Sequence, residues 1–463
     1  MANEELHYLD LLEIGELVAR RQISALELAR HQIERMAKHR HLNAFITETL
    51  DLALQQAKVA DAEIIAGHRR SVLHGVPIAV KDVFNLEGTP TTAGMPIRRN
   101  TLAVRDATAV RRLKDAGAVI LGKLNLTEGV YAEHAALFGT PINPWNPDRW
   151  CGASSSGSAV AVAAGLAFAG LSSETGGSIR IPSSVNGVTG LKPTWGRVSR
   201  HGVFELAGNL DHVGPIARSA SDAGALLAVV AGRDPADPTT SRNPGLELLG
   251  PDQARLAGIR IGLDMRFAAD GVDPEIVSAL EQAIQVMREL GADLVPIAVP
   301  DTSKIIWDWF DVCAVQVAIA HEHTYPSQAQ DYGRALADII EKGRATNGMD
   351  YQRVIARREA FRGDFDALFD QVDLVISPGL AFSVPTSEAM SVWNEELISG
   401  IHRFTCPITM SGHPVISMPG GVHSDGHSIA IQLIGPFFSE ESIIRAACAF
   451  QQATDYHRRH PLP

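Results

Sequence analysis

Between Cys151 and Thr194 the chain reads CGASSSGSAVAVAAGLAFAGLSSETGGSIRIPSSVNGVTGLKPT. Two clusters of very small residues, Gly152–Ser158 and Thr175–Ser178, flank an apolar Ala/Val/Gly run. Glycine and serine at this density let backbone approach backbone closely. The apolar run predicts one buried helix, with Ser154 and Ser178 meeting at the two ends of the connection. A buried helix of this kind needs a large core to cover it. The rest of the chain must supply that core.

The remainder has the composition to do so. The chain has 463 residues, 45% hydrophobic and 20% charged, as in ordinary globular proteins. No repeat, low-complexity stretch or Ser/Pro-rich linker divides it. A formal net charge of −12 argues against a general nucleic-acid partner, which needs a basic surface. The acidic N-terminus lacks the basic region of a secretory signal. The run Ala159–Leu171 falls short of the ~20 apolar residues that span a bilayer, so no membrane partner is expected. Cys151, Cys313, Cys406 and Cys448 are far apart and form no CxxC pair, which suggests no zinc or redox site and a cytoplasmic setting.

Residues 9–38 carry apolar positions at helical spacing, with Ser24 and Glu27 forming a capping-box pattern. Asp51–Ala66 continues as helix. His74–Lys81 then switches to period two: Val76, Ile78 and Val80 share one face, and Lys81 ends the strand on the other. Helices are predicted near Ala107–Ala116, Ala223–Ala231, Pro274–Leu290, Ala314–Ala320, Met349–Phe369 and Ser442–Thr454. Strands are predicted at Ala118–Leu121, Arg260–Leu263, Leu374–Ser377 and Ala430–Ile434. Alternation of this kind indicates an α/β fold, a sheet with helices on both faces.

The motifs GASSSG (Gly152–Gly157), ETGGSIRIP (Glu174–Pro182) and GVTGLKPT (Gly187–Thr194) resemble the core of the amidase signature family. HGVPIAVKDVFNLEGTPTTAG (His74–Gly94) resembles its lysine motif, and further collinear stretches extend the likeness over nearly the whole chain. The resemblance implies one amidase domain over 1–463, with a large mixed sheet as its core. A helical segment at 1–70 would pack alongside, 71–220 would hold the signature core, and 221–463 the rest of the sheet and the pocket helices. It also implies roles. Ser178 resembles the nucleophile, Ser154 the bridging serine preceded by a cis peptide, and Lys81 the base. The backbone N–H groups of Thr175, Gly176, Gly177 and Ser178 would form the oxyanion hole, with Ser155 in support and Glu174 paired to Arg180. Such chemistry needs an activated nucleophile, a proton path and oxyanion donors. Lys81 must be desolvated to act as a base. No cofactor and no metal is implied.

Other readings carry less. GASSSGS lacks the Gly-Lys-Ser/Thr ending of a P-loop. Neither G-x-S-x-G nor S-x-x-K occurs, so the α/β-hydrolase elbow and the β-lactamase signature are absent. His321-Glu322-His323 reads as helix surface rather than a metal pair, and His134 and His212 as packing or hydrogen-bonding histidines. Two departures from the family pattern stand out. Glu174 occupies a usual Asp position, and Gly129 stands where an aromatic is common, which is expected to widen the pocket or change its shape. Pocket candidates are Gly129, Val130, Tyr131, Phe138, Trp307, Trp309, Phe310 and Phe382. Their apolar character favours a hydrophobic acyl or aryl group. The expected partner is a small-molecule amide, anilide or carbamate, acted on by a monomer or homodimer. The alternatives are the glutamine-hydrolysing component of an aminoacyl-tRNA amidotransferase and an inactive binding protein on the same fold. Ile181 argues against the first, because that branch commonly has Gln there.

Overall fold

The computed structural model describes residues 6–243, 245–246, 256–392 and 394–461. Among them eleven strands form one mixed sheet. In chain order these are β1 (Phe45–Glu48), β2 (Pro77–Lys81), β3 (Val119–Leu124), β4 (Ala169–Glu174), β5 (Thr189–Lys192) and β6 (His212–Ala217). They continue with β7 (Arg260–Leu263), β8 (Asp293–Pro296), β9 (Leu374–Pro378), β10 (Val415–Val422) and β11 (Ser428–Ile434). Across the sheet the order is β1-β3-β2-β4-β6-β5-β10-β11-β9-β7-β8. β2 pairs in parallel with β3 and β4, and β7 with β8 and β9. The antiparallel strands lie between these two parallel groups, apart from β1 on the outer edge.

Every residue of β2, β3, β4, β5, β6 and β9 is buried. Successive side chains point to opposite faces of a sheet, so burial without alternation means that both faces are covered. The helices Ser156–Ala163 and Ala220–Val230 pack on the central strands, and Pro274–Glu289 and Glu440–Ala453 on the β10–β11 side. The N-terminal helices run Leu11–Ala19, Ala25–Lys38 and Leu50–Ile65. Ser24 Oγ accepts from Glu27 N at 3.0 Å while Glu27 Oε2 accepts from Ser24 N at 2.9 Å, closing the capping box. The first helix is tied to the core by Asp222, whose carboxylate accepts from Leu11 N and Leu12 N at 2.9 and 3.1 Å.

One expectation fails. The apolar run after the serine cluster is not a single helix: Ser156–Ala163 is helical, and Ala169–Glu174 is the central strand β4. A strand covered on both faces carries no alternation, so it reads like buried helix. The division places Ser154 and the Thr175–Ser178 cluster at the same end of the sheet, because the chain turns back on itself between them.

Candidate active site

β2 ends at Lys81 and β4 ends at Glu174, side by side in parallel register with Val80 opposite Leu171. Lys81 Nζ lies 2.8 Å from Ser154 Oγ, 3.1 Å from Ser173 Oγ and 3.4 Å from the Ser173 carbonyl oxygen. Lys81 is fully buried. Burial pushes its pKa down to about 7, against the opposing pull of the Asp211 and Glu174 carboxylates. Next in sequence, Asp82 pairs with Lys123 at 2.6 Å, both fully buried. That pair anchors the end of the strand beside Lys81.

Ser154 follows a cis Ala153–Ser154 peptide bond. Ser155 N donates to the Ser178 carbonyl at 3.3 Å, and Ser155 Oγ to the Ser173 carbonyl at 3.1 Å. Gly152 (φ +80°) lets the serine loop pack against the Arg180–Asn186 helix, since a Cβ there would lie 2.6 Å from Pro182 Cα.

Beyond β4 the chain turns through Thr175–Ser178. Trp309 Nε1 donates to the Thr175 carbonyl at 2.8 Å, and Cys406 Sγ lies 3.3 Å from the Gly176 carbonyl oxygen. Thr175 Oγ1 donates to Asp211 Oδ1 at 2.6 Å. With these groups held from behind, the peptide planes of the turn are fixed. Among the described residues the backbone N–H groups of Gly176, Gly177 and Ser178 have no hydrogen-bond partner. Gly177 sits at φ +139°, and its missing Cβ would meet Ile181 Cδ1 at 2.5 Å.

Glu174 and Arg180 lock the far side of the turn. Burial opposes ionisation of Glu174, yet the Arg180 guanidinium holds its carboxyl below the usual range. Glu174 Oε1 accepts from Arg180 Nη2 at 2.5 Å and Nε at 2.9 Å, and Glu174 Oε2 from the Ile179 and Arg180 backbone at 3.1 and 3.2 Å. Arg180 Nη1 donates to Phe404 O and Gln432 Oε1, and the second hydrogen of Nη2 lies between Thr405 O and Thr409 Oγ1.

Ser154, Ser178 and the Thr175–Gly177 turn form one wall of a cavity of about 400 Å³. The rest is largely apolar, including Tyr131, Ile181, Trp309, Phe310, Ile339 and Ile401. Glu133, Asp338 and Lys342 also border it. Lys342 is engaged by Asp311 at 2.8 Å.

The structure sorts the pocket candidates. Val130, Tyr131, Trp309 and Phe310 line the cavity, whereas Gly129, Phe138, Trp307 and Phe382 do not. A Cβ on Gly129 would strike Leu336 Cδ2 at 2.6 Å, so the missing side chain admits Leu336 and does not widen the pocket. Phe138 lies away from it, its carbonyl accepting from Asn43 Nδ2 at 2.8 Å. Trp307 is 40% exposed and stacks on Phe310 at 5.8 Å. Residues two apart on a helix face nearly opposite ways, so Trp307 and Trp309 cannot both enter. Phe382 backs the cavity, packed with the cluster that holds Trp150, Ile181 and Ile401.

Several residues at the site were not anticipated. Ser173, Lys123 and His402 stand in no motif of their own, and Asp211, though inside a family-like stretch, has no role legible there; only their neighbours in space single them out. His134 Nε2 lies 2.8 Å from Ser156 Oγ and does not border the cavity, and buried His212 Nδ1 lies 2.6 Å from the Leu210 carbonyl oxygen. His321 is buried against Tyr332 Oη at 3.1 Å, not on a helix surface, while Glu322 and His323 are exposed. Among the described residues no cluster of His, Cys, Asp and Glu is arranged to hold a metal ion, and no helix is long and apolar enough to cross a membrane.

Known proteins match this chain along nearly their whole length. The Amidase family profile matches residues 27–444. "Putative amidase AmiD" of Mycobacterium tuberculosis is 41% identical over 458 residues, covering 98% of this chain and 96% of the relative. A glutamyl-tRNA(Gln) amidotransferase component of Trichlorobacter lovleyi is 37% identical over 473 residues, covering 95% and 96%. Among solved structures, the peptide amidase of Stenotrophomonas maltophilia superposes with a TM-score of 0.84 at 29% identity, covering 98% of each chain. Motif, sheet and relatives agree: the chain belongs to the amidase signature family and is an amide-hydrolysing enzyme.

Proposed function

We propose that this chain cleaves the C–N bond of a small-molecule amide, anilide or carbamate (urethane) through an acyl-enzyme on Ser178. The observation that carries the reading is the 2.8 Å approach of a buried lysine to Ser154, which shares a cavity wall with Ser178. A lysine with its pKa near 7 is substantially neutral at physiological pH and can accept a proton. Ser178 Oγ attacks the substrate carbonyl carbon. Its proton passes to Ser154, and the proton of Ser154 passes to Lys81 Nζ. The N–H groups of Gly176, Gly177 and Ser178, with that of Thr175, receive the negative charge that develops on the carbonyl oxygen. Collapse of the tetrahedral adduct breaks the C–N bond, and the proton on Lys81 returns through Ser154 to the leaving nitrogen. Water then attacks the ester by the same relay, releasing the acid and restoring Ser178.

The cavity supports a hydrophobic acyl or aryl group over a charged one. Among the described residues around it, the basic side chains are His402 and Lys342, and Lys342 is already paired to Asp311. That leaves glutamine's carboxylate no free cation, which weighs against the amidotransferase reading despite the 37% identity. The cysteines, none of them in a disulfide, favour a cytoplasmic setting. The test follows amine or ammonia release by the wild-type chain and Ser178→Ala across aliphatic amides, anilides, carbamates and glutamine. Ser178-dependent turnover of an alkyl or aryl member is expected. Activity on glutamine alone would assign the chain to the partner-dependent amidotransferase class.

A further inference from the structure

The Glu395–His402 helix ends at His402, which borders the cavity. His402 Nδ1 lies 2.9 Å from the Ile398 carbonyl oxygen. A carbonyl only accepts, so Nδ1 carries the hydrogen and Nε2, on the opposite edge of the ring, carries a lone pair. Burial pushes the pKa of this imidazole down to about 4, which keeps it neutral at physiological pH. No described residue donates to Nε2.

The ring is held in one orientation. It stacks on Trp309 at 5.7 Å and 30°, and Phe310 meets it edge-on at 5.8 Å. Trp309 is itself fixed by its bond to the Thr175 carbonyl, and Phe310 packs edge-on against it at 4.8 Å. Three rings thus form a rigid aromatic corner joined directly to the turn before Ser178. On one of them is a hydrogen-bond acceptor with no protein partner. Once a bound substrate shuts such an acceptor away from water, it is unfavourable unless a donor meets it. Aromatic rings favour offset-stacked or edge-on partners, so the corner suits another ring.

We propose that His402 Nε2 is a specificity-determining acceptor, taking a hydrogen bond from an O–H or N–H borne by an aromatic substrate whose ring lies against Trp309 and Phe310. This rests on the amidase reading of the cavity. It narrows the substrate class to aryl amides, anilides or carbamates that carry a donor beyond the scissile bond.

Two matched pairs of amides test it. In each pair a para-hydroxyphenyl compound is compared with its para-methoxyphenyl counterpart, the ring being on the acyl side in one pair and on the amine side in the other. For the wild-type chain, kcat/KM should favour the hydroxyl member of one pair at least about tenfold, since a site built around a polar partner discriminates against its absence. In His402→Phe, which keeps a ring but loses the acceptor, the preference should shrink to within about twofold. His402→Gln should restore part of it. His402→Leu replaces His402→Phe if that variant does not fold. Dissociation constants of the same compounds are measured on Ser178→Ala and on Ser178→Ala/His402→Phe. A hydroxyl preference in binding that disappears with His402, without any hydrolysis by the wild type, would uphold the acceptor and sink the amidase reading of this cavity. Equal preference with and without His402, or none in the wild-type and Ser178→Ala chains, overturns the proposal.

Discussion

Thr175 and Asp211 are joined hydroxyl to carboxylate at 2.6 Å, and the same carboxylate accepts from the backbone of Leu206 and Ala207 at 2.9 to 3.2 Å. Asp211 therefore ties the turn before Ser178 to the loop that runs into β6. Burial raises its pKa to about 6, and once ionised it favours the ammonium form of Lys81.

Asp211→Asn removes that negative charge while keeping an acceptor for Thr175. The ammonium form of Lys81 is then less favoured, and its pKa falls further. The acid limb of a kcat/KM profile should move to lower pH, by up to about one unit. An unmoved limb, or one displaced to higher pH, would contradict the coupling.

Protonated Lys81 cannot take a proton, so wild-type kcat/KM should climb with an apparent pKa of about 7 and level off above it. Lys81→Met should lower turnover by about 10²–10⁴-fold and flatten that limb. The folded-state pKa lies below that of the unfolded chain, so between about pH 7 and 10 the unfolded chain binds more protons at this residue. Stability contributed by Lys81 rises with pH across that window. Melting curves at pH 7 and pH 9.5 should show a smaller rise for Lys81→Met than for the wild type.

Glu174→Gln leaves the Arg180 guanidinium buried without its counter-charge. Removing one partner of a buried pair costs about 3–5 kcal/mol, so the urea midpoint should drop sharply. Glu174→Asp keeps the charge and should lose much less. Equal midpoints for the two variants would show that the ion pair is not what holds the turn.

A methyl group on Gly176 would sit 2.5 Å from Trp309 Cζ2. Gly176→Ala should displace the indole, break its bond to the Thr175 carbonyl and misalign the N–H groups of the turn. A loss of about 10²–10³-fold in kcat is expected, the scale of one oxyanion donor. Near-wild-type kcat would remove this turn from the oxyanion site.

The parts of this architecture legible in sequence are those with local signatures. Lys81 is announced by period two in VPIAVK, and Ser24 by its capping partner Glu27. The Glu174–Arg180 pair follows from its motif. β4 is concealed because Ala169–Glu174, buried on both faces, lacks the apolar/polar alternation that marks a strand. Trp307 and Trp309 could not be told apart without knowing the phase of the Ser303–Ala320 helix. Gly129 marks a packing partner, Leu336, that lies far along the chain. Asp211 and His402 face groups that only the folded sheet brings near, so the sequence around them assigns neither a role.

Lys81 and Ser173 meet where β2 and β4 end side by side, the strands being paired with Val80 opposite Leu171. Sliding β4 by one residue would carry the hydroxyl and carbonyl of Ser173 about 3.3 Å along the sheet and break their contacts with the lysine. Turnover is thus a gauge of alignment at the middle of the molecule. An ensemble that kept its helices and strands but let these two slip would be chemically silent. In a denaturant titration, catalysis should disappear no later than the sheet's own spectroscopic signal, and a compact loosened state would be invisible to any activity assay.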